Sequence, residues 1–270
     1  RKEFIGNLAH ELKTPFFTVQ GYILTLLEGK IKDRKLIQKY LEKASNATDR
    51  LGFIIQDVDL ITQFETGITS LNIERFDLCE LIKDLVDSFE IKMKQKGVEI
   101  TYEFGNDKSI FVNADNFRIT QVMSNLIVNS LNYGVENGTT EIVIKNISKE
   151  KVLVRVIDNG QGISEEDLPR VFERFYRVDK TRNRKEGGSG LGLAIVKHIV
   201  EAHNEIVYVE SSLNVGSEFS FTLTKSYWII LKMGSKNKLK KFQENNTFKN
   251  VIQPNIKEII KKNSLFKGNW

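Results

Sequence analysis

No stretch of this 270-residue chain approaches the roughly 18 consecutive apolar residues that a membrane-spanning helix needs. There is no charged-then-apolar leader at the start, and no internal repeat. One cysteine, Cys79, excludes an internal disulfide framework and fits a reducing compartment. The chain opens at Arg1, inside a periodic helical pattern and without an initiator Met, so it reads as a fragment of something longer. Arginine is absent from residues 225–270, which hold eleven Lys and two Glu. Residues 1–224 carry 29 basic and 33 acidic side chains, so the overall charge of +5 belongs to the tail. A mildly acidic body argues against nucleic acid as its partner. What remains, 40% apolar and 28% charged, is the composition of a globular protein with room for one or two cores.

Ile5, Leu8, Leu12, Val19 and Leu26 recur at three- and four-residue steps, with Pro15 and Tyr22 in the remaining seam positions. In this register His10 lies farthest from the seam, an ionisable group held in water on a rigid helix. Ile37, Leu41, Ala44, Thr48, Leu51, Ile55 and Val58 form a second stripe after a short break at "EGKIKD". Two such helices make an antiparallel hairpin that cannot cover its own seam, which predicts pairing with a second copy into a four-helix bundle.

After Gly67 the pattern changes. "LNIERFD", "VEITYEF", "SIFVN", "TEIVIKNI", "KVLVRVID", "IVYVESS" and "SEFSFTL" read as strands. Asp77 is placed to cap a helix that Gly97 ends, and Asp115 opens another that runs to Tyr133 and closes at Gly134. Strands mixed with helices without strict alternation predict an α+β domain with helices on one face of a mixed sheet.

Three clusters carry chemistry. Gln121, Asn125, Asn129 and Asn132 step by four, four and three along the predicted helix 115–133, on one side of it. Asparagine is a poor helix former. Amide oxygens are hard neutral ligands suited to Mg²⁺ bound with phosphate. A solvated polar face is the plain alternative for any one of them. "VIDNGQGI" sets Asp158 at a strand end, where a carboxylate can accept from an exocyclic amine such as adenine's, with Gly160 and Gly162 letting backbone come close to a planar ring. "GGSGLGLAIVKHIV" puts Gly187, Gly188, Gly190 and Gly192 at a helix start, where free amides and the dipole favour phosphate. No Gly-Lys-Ser/Thr follows, so this is no P-loop, and it lacks the Rossmann spacing. Between the glycine segments, "VFERFYRVDKTRNRKEGG" has the character of a mobile lid, anchored by Phe172 and Phe175 and basic at its tip.

The order "HELKTP", "NLIVNSLNY", "DNGQGI", "VFERFYR", "GGSGLGLA" resembles the transmitter region of bacterial sensor histidine kinases, over residues 1 to about 224. The resemblance implies a dimerisation and histidine-phosphotransfer domain at 1–67 and an ATP-binding, two-layer α/β sandwich at 71–224. That sandwich is of the type shared with gyrase, Hsp90 and MutL (GHKL). Residues 225–270 then read as a basic tail, disordered or foreign to the domain. By the same resemblance His10 is the phosphoacceptor, Glu11 takes the imidazole proton, and Thr14 positions water for dephosphorylating a partner. Pro15 loosens the helix beside the histidine. Asn129 is the main Mg²⁺ ligand, with Asn125 in support. Asp158 reads adenine. Asn132, Tyr133, Gly160, Gly162, Arg177, Lys180, Gly188, Gly190, Leu191 and Gly192 complete the ATP site.

Two departures stand out. Asn132 replaces the Lys usual in that helix, a loss that Arg177, Lys180 and Arg182 can offset. "His203-Asn204-Glu205" replaces the usual His-Gly-Gly turn, with His198 and His203 expected to be structural. The implied function is an ATP-dependent protein-histidine kinase that passes its phosphoryl group to a response-regulator aspartate, and the resemblance makes the chain the cytoplasmic region of a sensor whose membrane segment would lie before Arg1. The competing readings are an ATPase clamp of the same nucleotide fold and a non-catalytic dimeric scaffold.

Overall fold

The computed structural model describes residues 2–67, 70–178 and 189–226. Lys180, Arg182, Gly187, Gly188 and the tail from 227 onward, all singled out above, lie outside the described residues.

Two long helices come first, α1 (Lys2–Leu27) and α2 (Arg34–Glu65), packed as a hairpin. Asp33 caps α2 by accepting from the Lys35 amide. On α1 the expected seam faces inward through Leu8, Leu12, Pro15, Val19, Tyr22 and Leu26, all buried or half-buried, while Ile5 is exposed. The seam predicted for α2 needs correction. Leu41 and Ile55 are 54% and 52% exposed and Thr48 is exposed, whereas Ala44, Ala47, Ile54 and Ile61 are buried. The helix is apolar on two adjacent stripes, and the small Ala44 and Ala47 let α1 approach on one of them.

The remaining elements build a sandwich. A five-stranded sheet has the order β2 (Glu99–Glu103), β4 (Thr139–Asn146), β5 (Lys151–Asp158), β7 (Gly216–Thr224), β6 (Val207–Ser212). The β2–β4 pair is parallel and the others are antiparallel, the mixed sheet expected. β1 (Glu74–Asp77) stands apart, in a two-stranded ribbon with β3 (Phe111–Ala114). Helices α3 (Leu78–Ser88), α4 (Glu90–Lys96), α5 (Asn116–Tyr133) and α6 (Gly192–Ala202) complete the set. Ile119, Met123, Ile127, Ile195 and Ile199 from α5 and α6 share one core with Ile142, Val154 and Phe221 from the sheet.

The predicted boundaries rest on visible chemistry. The Asp77 carboxylate accepts from the amides of Cys79 and Ile110, and Asp115 from those of Arg118 and Asn72. Gly97 ends α4 in the left-handed region at φ 64°. Leu60 and Ile61, near the end of α2, are buried in the sandwich core, so the hairpin and the sandwich are packed together. Full burial of a side chain such as Ile61 is worth about 1.5–3 kcal/mol.

The sheet face opposite the helices holds a polar network. Arg155 on β5 and Glu218 on β7 form a bidentate pair at 2.5 Å with side chains only 3% and 1% exposed.

Candidate active site

His10 lies mid-helix on α1 and is exposed, as its register predicts. Two features set its surroundings. Pro15, buried inside α1, has no N–H to give the Glu11 carbonyl, so the helical ladder is interrupted one turn beyond the histidine. Glu11 points across the hairpin, where Arg50 Nη2 reaches its Oε2 at 3.3 Å. Thr14 follows one turn on, exposed, its hydroxyl donating to the His10 carbonyl at 3.4 Å.

The amide stripe of α5 lies half-buried along Asn125, Asn129, Asn132 and Tyr133. Asn125 Nδ2 donates to the Gly192 carbonyl at 3.3 Å, tying α5 to the start of α6. Among the described residues nothing hydrogen-bonds the side chains of Asn129 and Asn132. Nor is any trio of His, Cys, Asp and Glu gathered to hold a metal there. The oxygens available to a hard cation at this stripe are therefore amide oxygens, which suit Mg²⁺ only in company with phosphate and water.

Asp158 ends β5 and is 6% exposed, its Oδ1 accepting from the Gly160 amide at 2.9 Å. Burial pushes its carboxyl up to about 6, against the downward pull of backbone hydrogen bonds from Gly160 and Ser217. The glycines around it also let backbone segments meet. At Gly162, φ is +68° and a Cβ would collide with the Ser212 carbonyl. At Gly160 it would strike the Tyr133 carbonyl. Gly190 has φ +74°, and a Cβ there would lie 2.9 Å from the Phe175 Cα. These residues let the chain pass close to itself. This backbone packing is a further reason for glycine at 160 and 162, beside the expected approach to a ring plane.

The lid anchors also find their places. Phe172 meets Phe219 edge-on at 6.3 Å, and Phe175 packs on Phe4 of α1 at 5.5 Å. Between the His10 turn and this lid flank lies a cavity of about 1000 Å³ whose walls include Asn7, His10, Glu11, Arg177 and His198. The Nε and Nη2 of Arg177 are buried without a hydrogen-bond partner among the described residues. Burial, and then the Arg174 charge, hold the His198 imidazole below its ordinary value.

His203 is structural, as expected. Its Nε2 accepts from the Asp115 amide at 2.9 Å and Nδ1 faces the Ile199 carbonyl at 2.8 Å, which puts the proton on Nδ1.

Sequence reasoning missed three residues. Glu205, 7% exposed, gathers Lys151 at 2.5 Å, Thr222 at 2.6 Å and Thr224 at 2.7 Å, so the departure from His-Gly-Gly anchors two strands. Arg50 orients Glu11. Asp57 on α2 accepts from Ser189 Oγ at 3.5 Å, and burial raises its carboxyl to about 6. The only sequence signal for Arg50 was a cation one turn from Ala47 and Ile54 on α2.

Both parts of the chain match known protein families. The His Kinase A (phospho-acceptor) domain family matches residues 1–67. The family described as histidine kinase-, DNA gyrase B-, and HSP90-like ATPase matches residues 114–226. The sensor histidine kinase WalK of Bacillus subtilis is 36% identical over 224 residues, 83% of this chain and 36% of its own length. The chain spans about a third to a half of the length of the curated relatives it matches. Among solved structures, the histidine kinase AdeS of Acinetobacter baumannii superposes with TM-score 0.65 at 25% identity, over 81% of this chain and 98% of that one. Histidine kinase ThkA, solved in complex with the response regulator protein TrrA, gives 0.65 at 26% identity, over 83% and 61%.

Proposed function

Because the chain belongs to the sensor histidine kinases, as the transmitter region of one, we propose that it phosphorylates His10 from ATP and hands the phosphoryl group to an aspartate of a response-regulator receiver domain. The observation that carries this reading is the exposed His10 beside the Arg50-held Glu11, facing Arg177 of the nucleotide domain across one cavity.

In the first step an imidazole nitrogen of His10 attacks the γ-phosphorus, the bond from that phosphorus to the β,γ-bridging oxygen breaks, and ADP leaves. Glu11 takes the proton that the other imidazole nitrogen gives up. Asp158, ionised, accepts from the adenine amine. Arg177 brings a cation to the phosphates, in a site where Asn132 stands in place of the usual Lys. Asn129, supported by Asn125, would hold Mg²⁺, which when bound neutralises phosphate charge. Thr14 would position water when the partner's phosphoaspartate is hydrolysed.

We assign residues 1–67 to dimerisation and phosphotransfer and 71–224 to nucleotide binding. Two copies complete a four-helix bundle by covering exposed apolar residues such as Phe16, Leu24, Leu41 and Ile55. The ThkA–TrrA complex supports a receiver domain as the partner class.

Incubation with γ-³²P-ATP and Mg²⁺ tests the reading. Label that is acid-labile and base-stable, and that moves to a receiver domain, is the expected result. Acid-stable label, or none, would contradict it.

A further inference from the structure

A groove of about 400 Å³ runs between α3 and the first two turns of α5, and it shares no lining residue with the cavity at His10. Phe76, Leu81 and Leu85, each half-buried, make its floor. Glu80 and Asp84 stand exposed on its rim, one helical turn apart on α3. Asp77 brings a third carboxylate, which already accepts from the Cys79 and Ile110 amides. No Lys or Arg is among the described residues that line the groove, so its walls are negative over an apolar floor. None of these side chains has a part in the phosphotransfer chemistry.

The end of the sandwich delivers the chain to this groove. Lys225 bridges to Val112 of β3, and the Ser226 amide donates to the Phe111 carbonyl at 2.7 Å. Phe111 is registered opposite Asp77 of β1. Ser226 therefore lies two strand spacings, about 10 Å, from the Asp77 end of the groove. The sequence that follows has the complementary chemistry. Residues 227–231, "YWIIL", are aromatic and aliphatic, and residues 232–241 hold five Lys and no acidic residue. Fifteen residues can span up to about 50 Å, well beyond the length of α3, about 16 Å for 11 residues. A tethered segment meets its groove at a roughly millimolar effective concentration, so even a weak contact is occupied.

We propose that residues 227–241 dock in this groove, 227–231 on the floor of Phe76, Leu81 and Leu85, and the lysines that follow against Glu80 and Asp84. The contact is independent of the kinase reading. Apolar burial supplies its strength, and the charges set the direction in which the segment lies. The lysine pairs are exposed and weaken as salt rises, while the apolar part persists.

Trp228 and Trp270 are the only two tryptophans of the chain, and both follow Ser226, so indole fluorescence reports on this segment alone. The test uses the full chain carrying Trp270→Phe, with and without Glu80→Lys plus Asp84→Lys, circular dichroism confirming the fold of each. Trp228 should emit to the blue of free indole and resist acrylamide quenching in the first chain. Charge reversal on the rim should shift the emission to the red and raise the quenching. A carbodiimide, which joins a carboxylate to a lysine amine as an amide with loss of water, supplies a second measurement that needs no groove variant. It should link Glu80 or Asp84 to a lysine between 232 and 241 within the monomer band. Trp228 emitting as free indole in the first chain would overturn the docking. So would a shielded Trp228 that charge reversal leaves unchanged, which would put the segment elsewhere on the body. Links found only between two copies, or none at Glu80 and Asp84, would overturn it as well.

Discussion

Glu11 and Arg50 lie 3.3 Å apart across the helical hairpin, their side chains 19% and 25% exposed, directly beside the exposed His10. In the proposed mechanism Glu11 takes a proton from the neighbouring imidazole, and Arg50 fixes its carboxylate from the other helix. Glu11→Gln should lower the autophosphorylation rate about a hundredfold or more, the scale of a lost general base. Arg50→Met should lower it less, because the base remains but wanders. Initial rates of label incorporation at saturating ATP measure both, and equal rates in Glu11→Gln and the parent would remove Glu11 from the chemistry.

The Asp158 carboxyl, pushed up to about 6 by burial, gives nucleotide binding a defined pH dependence. In the proposed site the carboxylate is the strong acceptor for the adenine amine, and protonation weakens it and adds a competing O–H donor. Affinity should therefore be flat above neutrality and fall as pH drops through 6, approaching tenfold per unit below it. Asp158→Asn should bind weakly with no such slope. Calorimetric titration with a non-hydrolysable ATP analogue from pH 8 to pH 5 checks this, and a slope that survives in Asp158→Asn would assign it to another group.

Local chemistry made much of this fold legible. Asp77, Asp115 and Gly97 announce helix ends through contacts a few residues away, and the alternating apolar runs found their strands. What escaped depends on distant partners. β1 pairs with β3 rather than with the main sheet. Glu205 draws its meaning from Lys151, 54 residues earlier in the chain. On α2 two apolar stripes compete, and only packing against other elements selects Ala47 and Ile54 over Thr48 and Ile55. In the site, His10, Glu11, Thr14, the α5 amides and Asp158 were visible as motif residues. Arg50 and Asp57 were not, since a charge on a long helix reads as solvated until its partner on another element is known.

The Arg155–Glu218 pair bears on stability rather than on chemistry. Both side chains are buried, so removing one charge strands the other. Glu218→Gln should cost about 3–5 kcal/mol in urea unfolding. Replacing both together, Arg155→Met with Glu218→Leu, should cost much less than the single change. A single variant within about 1 kcal/mol of the parent would mean that water reaches the pair.

The most direct test of the whole account is His10→Gln. His10 is exposed on α1 and contributes little to hairpin packing, so the variant should keep its dimer and its ATP affinity. Incubated with γ-³²P-ATP, it should take up no acid-labile, base-stable phosphate, while the parent chain does. Phosphohistidine persisting in His10→Gln at the parental level would contradict the assignment of the phosphoacceptor and the mechanism built on it.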